Sequence, residues 1–195
     1  MKRLFDICLG LLSLIIFSPV LLIVALIVII DDGFPIVFKQ ERVGKDNKLF
    51  KIRKFRTMKN GTRNTATHDL TEAQEQITRS GRYLRRTSID ELPQLLNILD
   101  GTMSFVGPRP LIIDEKEIRE LRIKNAIYSV RPGITGWAQI NGRDNLSIEQ
   151  KVELDREYIE KQSLLFDIKI LFKTIFVVFK KENITEGGEG EVNPN

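Results

Sequence analysis

Two adjacent carboxylates, Asp90 and Glu91, stand in the run Thr87-Ser88-Ile89-Asp90-Glu91-Leu92-Pro93-Gln94. Arginines crowd them: Arg79, Arg82, Arg85 and Arg86 lie upstream, and Arg109 follows between Pro108 and Pro110. An acid that stays ionised among cations can attack phosphorus. Its neighbour can hold a divalent cation, because magnesium needs only one or two carboxylates beside substrate phosphates. The same acids also suit a helix start. Ser88 with Glu91 matches a capping box, Asp90 is an alternative N-cap, and Pro93 belongs in a first turn. On these residues alone, capping and phosphate chemistry both remain open. Leu92, Leu95, Leu96 and Leu99 then predict one apolar helical face, ended by Asp100-Gly101.

Three further segments could meet an anion. Pro108-Arg109-Pro110 presents a permanently charged, planar guanidinium from an extended backbone, although a rigid surface turn explains it as well. Arg131-Pro132-Gly133-Ile134-Thr135-Gly136 could bring backbone amides close to a phosphate, or simply turn. Arg143, in Asn141-Gly142-Arg143, is a lesser candidate of the same kind.

These residues need elements to position them. The chain has 195 residues, enough for one compact domain with an appended element. Its 30 basic and 26 acidic side chains are unevenly spread. Between Lys39 and Arg63 there are ten Lys/Arg and only two acids, Glu41 and Asp46. Such a block favours a membrane surface, nucleic acid or a phosphorylated ligand. No nucleic-acid-binding motif accompanies it. The runs 35–43 and 49–55 are β-prone, with a turn at 44–48, and predict a hairpin with one basic face. Residues 182–195 hold four glutamates and no base, a composition that predicts a disordered tail. The single cysteine, Cys8, allows no disulfide within the chain, and no His/Cys cluster has zinc-ligand spacing.

Leu9 to Ile30 carries no charge and would reach about 33 Å as a helix, enough to cross a bilayer core. It is too long for a secretory signal and has no small-residue cleavage site after it. Ser18-Pro19 falls at its centre. The proline must free the Ile15 carbonyl and favours a bend, and the serine hydroxyl can satisfy the freed group. Lys2 and Arg3 precede the segment and the basic block follows it, so the positive-inside tendency places both ends in the cytoplasm. A spanning helix and a re-entrant helix-break-helix both fit these residues. Near the C-terminus, Leu164 to Phe179 is apolar apart from Asp167, Lys169, Lys173 and Thr174. It predicts an interfacial helix with Phe166, Phe172, Phe176 and Phe179 toward lipid, or else a buried core helix. Asp155 reads as a solvated or salt-bridged acid, with a supporting role near the site as the alternative, and Trp137 as core or interfacial.

Several segments in order resemble the bacterial sugar transferases known as monotopic phosphoglycosyl transferases. They are Gln40-Glu41-Arg42-Val43-Gly44, Lys54-Phe55-Arg56-Thr57-Met58, Leu84 through Asp90-Glu91-Leu92-Pro93-Gln94-Leu95, Met103 through Pro110, and Arg131 through Trp137. The resemblance runs to about Lys181, and the chain's length is similar to that of the minimal members. It implies an α/β fold, mostly helical with a small β-hairpin, in a monotopic membrane protein. Residues 1–32 would form the re-entrant element broken at Ser18-Pro19. Residues 33–181 would form a catalytic domain, with interfacial helices, on the cytoplasmic face of the bacterial inner membrane. The implied reaction moves a phosphosugar from a UDP-sugar to polyprenyl phosphate with magnesium and releases UMP. By carry-over Asp90 is the nucleophile and Glu91 its magnesium-binding partner. Arg85 would meet the polyprenyl phosphate, and Arg109 the nucleotide. Which sugar is moved is not encoded in the sequence. The competing reading is a non-catalytic module that binds anionic lipid through residues 39–63.

Overall fold

The computed structural model describes residues 1–61, 73–142 and 145–180. The expected tail, residues 182–195, lies outside them. The chain is mostly helical, with a small antiparallel hairpin and one long apolar helix at its start.

That helix, α1 (Lys2–Asp32), runs as a single element with Pro19 inside it rather than as two helices. The reason is local. Ser18 Oγ donates to the Ile15 carbonyl at 2.8 Å, so the acceptor that proline leaves empty is satisfied without ending the helix. Gly33, at φ 73, ends the helix with its N–H on the Ile29 carbonyl. One side of α1 is buried and the other bare: Val24 and Val28 are 4% and 2% exposed, Ile15 and Ile30 70% and 85%.

Both ends of α1 are fastened to the same globular body. At the start, Lys2 Nζ donates to the Val106 carbonyl (3.1 Å) and pairs with the buried Asp167. Asp6 Oδ1, itself buried, accepts from Ser104 Oγ (3.0 Å) and the Phe105 N–H (3.2 Å). At the far end, Asp31 Oδ2 accepts from the N–H and hydroxyl of Ser80 (2.9 and 2.6 Å), and Arg56 pairs with Asp32 at 3.0 Å. Between them Gly10 lets the helix approach closely, since a Cβ there would sit 3.1 Å from Leu99 Cδ2. Val24 and Val28 join Phe55 and Leu84 in one core cluster, and Leu14 packs on a second formed by Ile52, Leu95, Ile98 and Met103.

The hairpin forms where the alternation places it: β1 (Val37–Val43) pairs antiparallel with β2 (Leu49–Phe55), from Val37 opposite Phe55 to Val43 opposite Leu49. Helices α2 (Ala73–Gln76) and α3 (Arg79–Arg86) follow, the latter capped by Thr78 Oγ1 on the Gly81 N–H. A 3-10 turn, Ile89–Gln94, leads into the short α4 (Leu95–Asp100). Only part of the expected leucine face is inward: Leu95 and Ile98 are buried, whereas Leu96 is 44% exposed. The 3-10 turn rotates the helix relative to a single continuous α-helix and brings Asn97 inward in its place. Asn97 docks α4 on the free edge of β2, accepting from the Arg53 N–H (3.0 Å) and donating to the Lys51 carbonyl (2.9 Å).

A second, parallel pair, β3 (Ser104–Val106) with β4 (Gly133–Thr135), was not foreseen. It gives the 131–136 glycines a structural task, where the sequence left phosphate contact and a simple turn both open. A Cβ on Gly133 or Gly136 would lie 2.2 Å from backbone atoms of Gly107, so the close approach they permit is to the chain itself. Helix α6 (Trp137–Ile140) packs Trp137 and Ile140 against the core cluster of Val106 of β3, and α5 (Lys116–Lys124) packs on α7 (Ile148–Glu160). α7 opens on a Ser147/Gln150 capping box and buries Val152, Asp155 and Tyr158.

The last helix, α8 (Leu164–Lys180), divides its residues between core and surface. Leu165, Phe172 and Phe176 are exposed, at 81%, 61% and 65%. Phe166 departs from expectation: it packs against Trp137 and Tyr158, with ring centroids 5.0 and 6.1 Å away. The Phe179 side chain lies outside the description. Trp137 belongs to this cluster and donates Nε1–H to Glu157 at 2.8 Å.

Replacing Asn97 by alanine strips both edge groups of β2 of their partner, and is expected to cost about 2–4 kcal/mol of folding stability. Thermal unfolding followed by circular dichroism in detergent would read this as a clear drop in midpoint. An unchanged midpoint would mean that Asn97 does not hold α4 on the hairpin.

Candidate active site

Asp90 and Glu91 do not cap a helix. Ser88 adopts a left-handed conformation (φ 56, ψ 17) with no side-chain cap bond, and both acids fall inside the 3-10 turn before α4. The kink at Ser88 turns the chain out of α3, whose end is closed by Thr87 Oγ1 on the Tyr83 carbonyl at 2.8 Å. The expected capping box is therefore absent, because the serine's backbone bends away before its hydroxyl can reach forward.

Glu91 turns instead to β2. Lys54 Nζ lies 2.6 Å from Glu91 Oε1 and 3.9 Å from Asp90 Oδ2, one ammonium serving two carboxylates. Lys54 shares strand parity with Phe50 and Ile52, so the pleat aims it inward instead of onto the basic outer face. Arg85, from α3, donates Nε–H to Thr57 Oγ1 at 2.9 Å and exerts its charge on Asp90.

Asp90 is 7% exposed. Burial pushes its carboxyl up to about 6; Glu91 adds to the rise, while Lys54 and Arg85 oppose it. The site thus holds a carboxylate that is poorly solvated yet ionised near neutral pH. Such a group is more reactive than one free in water.

A narrow groove beside the dyad is lined by Arg42, Lys54, Glu91, Gln94, Arg109 and Pro110. Arg109 projects, exposed, between two buried prolines. Its strap is pinned carbonyl by carbonyl. Gly133 N–H donates to Pro108 (3.0 Å), Arg122 Nη1 to Arg109 (2.7 Å), Arg42 Nη1 weakly to Pro110 (3.3 Å), and Val43 N–H to Leu111 (3.0 Å). Arg122 is in turn held by the buried Asp155 at 2.6 Å. Asp155 is salt-bridged, as one reading expected, and through Arg122 it also supports the site.

The structure brings together Asp90, Glu91, Arg85 and Arg109, all marked by sequence. Arg131 lies elsewhere: its Nε–H donates to the Gly101 carbonyl at 2.7 Å, beside Arg3, whose guanidinium binds the Ile98 and Leu99 carbonyls. Two arginines thus close the end of α4. Arg143 lies outside the described residues. Sequence reasoning missed Lys54 and Arg42 as site residues, although Lys54 betrays itself by sitting on the apolar parity of β2. Arg122 left no signal, being one charge among many in α5. Among the described residues no group of three or more His, Cys, Asp or Glu gathers to hold a metal. The dyad is what offers carboxylate donors, and the shared ammonium shows a cation already stabilised between them.

Because the folded pKa of Asp90 is raised, its contribution to stability is complete below pH ~4 and lost as pH rises through about 6. Asp90→Asn, neutral at every pH, should therefore stabilise the metal-free protein by ~2–3 kcal/mol at pH 8 and leave it unchanged at pH 4. Thermal midpoints at both pH values in chelator would show this, and equal midpoints at pH 8 would contradict the burial cost.

A bacterial sugar transferase family model matches residues 1–181. The chain is 45% identical over 186 residues to the UDP-glucose:undecaprenyl-phosphate glucose-1-phosphate transferase of Escherichia coli, covering 92% of this chain and 40% of that protein. It is 42% identical to the uncharacterized sugar transferase EpsL of Bacillus subtilis, covering 95% and 91%. Identity to the undecaprenyl-phosphate galactose phosphotransferase of Salmonella typhimurium is 38%, over 93% and 41%. The chain thus spans about two fifths of the Escherichia and Salmonella relatives and nearly all of EpsL. With the dyad, Lys54 and the Arg109 strap all inside the matched region, the chain belongs to the bacterial sugar transferase family.

Proposed function

We propose that this protein transfers a sugar 1-phosphate from a UDP-sugar to undecaprenyl or a related polyprenyl phosphate and releases UMP. The observation that carries the reading is a buried carboxylate, Asp90, under the charges of Lys54 and Arg85, whose neighbour Glu91 lines a groove with two further arginines. The names of the relatives supply the substrate classes.

In the first step an oxygen of the Asp90 carboxylate attacks the β-phosphorus of the UDP-sugar. The bond from that phosphorus to the bridging oxygen breaks, and UMP leaves with the electron pair. In the second step an oxygen of the polyprenyl phosphate attacks the same phosphorus, and Asp90 departs as a carboxylate. Both nucleophiles are anions, so no proton needs to move. What the residues must do is position and neutralise. Lys54 and Arg85 keep Asp90 ionised, and Arg109 meets the nucleotide from its pinned strap. Asp90 and Glu91 would together hold magnesium, which supplies neutralisation of the diphosphate charge. The product would be the lipid-linked sugar that starts assembly of a surface glycoconjugate.

For the membrane we propose a monotopic arrangement, with α1 entering and leaving one leaflet. The support is the fastening of both ends of α1 to one polar domain, which cannot stand on two sides of a bilayer. The bare face of α1 and the exposed Leu165, Phe172 and Phe176 of α8 meet lipid in this arrangement. The basic residues from Lys39 to Lys59, which follow α1 in the chain, would attract anionic headgroups on the cytoplasmic face of the inner membrane.

Purified protein given UDP-sugar, magnesium and undecaprenyl phosphate should release UMP; release of UDP would contradict the reaction. Asp90→Asn should lower turnover by at least about 10³-fold. For topology, cysteines placed ahead of Lys2 and by Asn60→Cys, in a Cys8→Ser background, should be labelled from the same side of the membrane. Opposite-side labelling would refute the arrangement.

A further inference from the structure

Arg42, from β1, has no role in the chemistry described so far, and its surroundings are unusual for an arginine. Nη2 donates to Gln40 Oε1 at 2.7 Å, Nη1 reaches the Pro110 carbonyl at only 3.3 Å, and Nε is buried with no hydrogen-bond partner. The two fully buried arginines touch a carboxylate directly, Arg122 on Asp155 at 2.6 Å and Arg56 on Asp32 at 3.0 Å, and Lys54 across the groove does so on Glu91 at 2.6 Å. Among the described residues Arg42 has no such ion pair. The charge that acts on it most strongly is that of Arg109, a like charge, with Glu115 and Glu91 acting less strongly. Burial and that repulsion pull its guanidinium down to about 10. Two arginines that repel each other across a groove, one of them desolvated and short of hydrogen bonds, are relieved by an anion with several acceptor oxygens.

The position of the pair says which anion. Arg42 and Arg109 line the groove together with Lys54 and Glu91, whereas the buried Asp90 is not part of that lining. The arginine pair thus lies on the Glu91 side of the dyad. Displacement at phosphorus sends the leaving group to the side opposite the nucleophile, one P–O–P link away. We propose that Arg42 and Arg109 form a two-arginine clamp on the nucleotide phosphate that leaves as UMP, which makes Arg42 a substrate-binding residue of the first half-reaction. This rests on the proposed transfer reaction.

The test separates the half-reactions and the two possible sources of phosphate. In Arg42→Gln, the UDP-sugar concentration giving a half-maximal burst of UMP, without acceptor, should rise about 10–100-fold. Transfer from a preloaded protein to undecaprenyl phosphate should stay within about twofold, and the surface variant Arg119→Gln should behave as wild type. An unchanged half-maximal concentration overturns the clamp. So does a normal burst with slowed transfer, which would give Arg42 to the lipid phosphate. UMP and uridine binding, followed by ligand-induced thermal shifts, exclude mere loosening of the strap: the clamp predicts loss of UMP affinity with uridine unaffected, and equal weakening of both overturns it. If the wild type gives no burst with any UDP-sugar, the transfer reaction fails, while the UMP shift still decides the clamp. Should Arg42→Gln not fold, Arg42→Lys, which keeps the charge but loses the planar fork, is read by the same criteria with about a tenfold rise expected.

Discussion

Lys54 Nζ at 2.6 Å from Glu91 ties the inner strand of the hairpin to the turn that carries the dyad. In the proposed reaction the carboxylate that attacks the diphosphate faces contradictory demands. It must shed water to become reactive, yet remain charged, and it must approach a substrate of its own sign. Burial meets the first demand at Asp90, Lys54 helps meet the second while bonding Glu91 directly, and its placement explains much of the architecture. β2 has to stand against the 3-10 turn, so Asn97 locks α4 to the free edge of that strand, and α1 packs behind it through Val24, Val28 and Leu14. Arg85 comes from the other direction, on a helix fastened to Asp31 of α1 through Ser80.

The same economy appears in the Arg109 strap. Its four consecutive carbonyls are satisfied by two backbone amides and two arginines, and the glycines at 107, 133 and 136 press two backbones together beneath it. The first turns of α1 grip β3 directly, through Lys2 on Val106 and Asp6 on Ser104 and Phe105. The long apolar helix and the Arg109 strap are therefore parts of one packed unit. For the proposed reaction, this arrangement would put the dyad where a lipid phosphate and a soluble nucleotide can both arrive.

Much of this was legible in the residues, and the failures have physical causes. The hairpin followed from alternation and a polar turn, and the Ser18 hydroxyl did take the carbonyl freed by Pro19. The helix start at Ser88 misled because capping signals describe side chains that can reach forward, and a left-handed serine cannot. The parallel β3–β4 pair was hidden because three-residue strands have too few positions to show a period. Long-range partners were the least visible. Nothing local marks Arg122 as the anchor of Arg109, or turns Phe166 inward onto Trp137, since those choices are made by elements far along the chain. Lys54 is the instructive case, because strand parity alone would have placed it inside.

The central claim is that Asp90 takes the phosphosugar covalently. Incubating the protein with a UDP-sugar and magnesium, without lipid acceptor, and weighing it intact would test that claim most directly. The account predicts a gain of one phosphosugar per chain, located on Asp90 by peptide mapping and removed when undecaprenyl phosphate is added. An unchanged mass while turnover with acceptor proceeds, or an adduct on another residue, would contradict it.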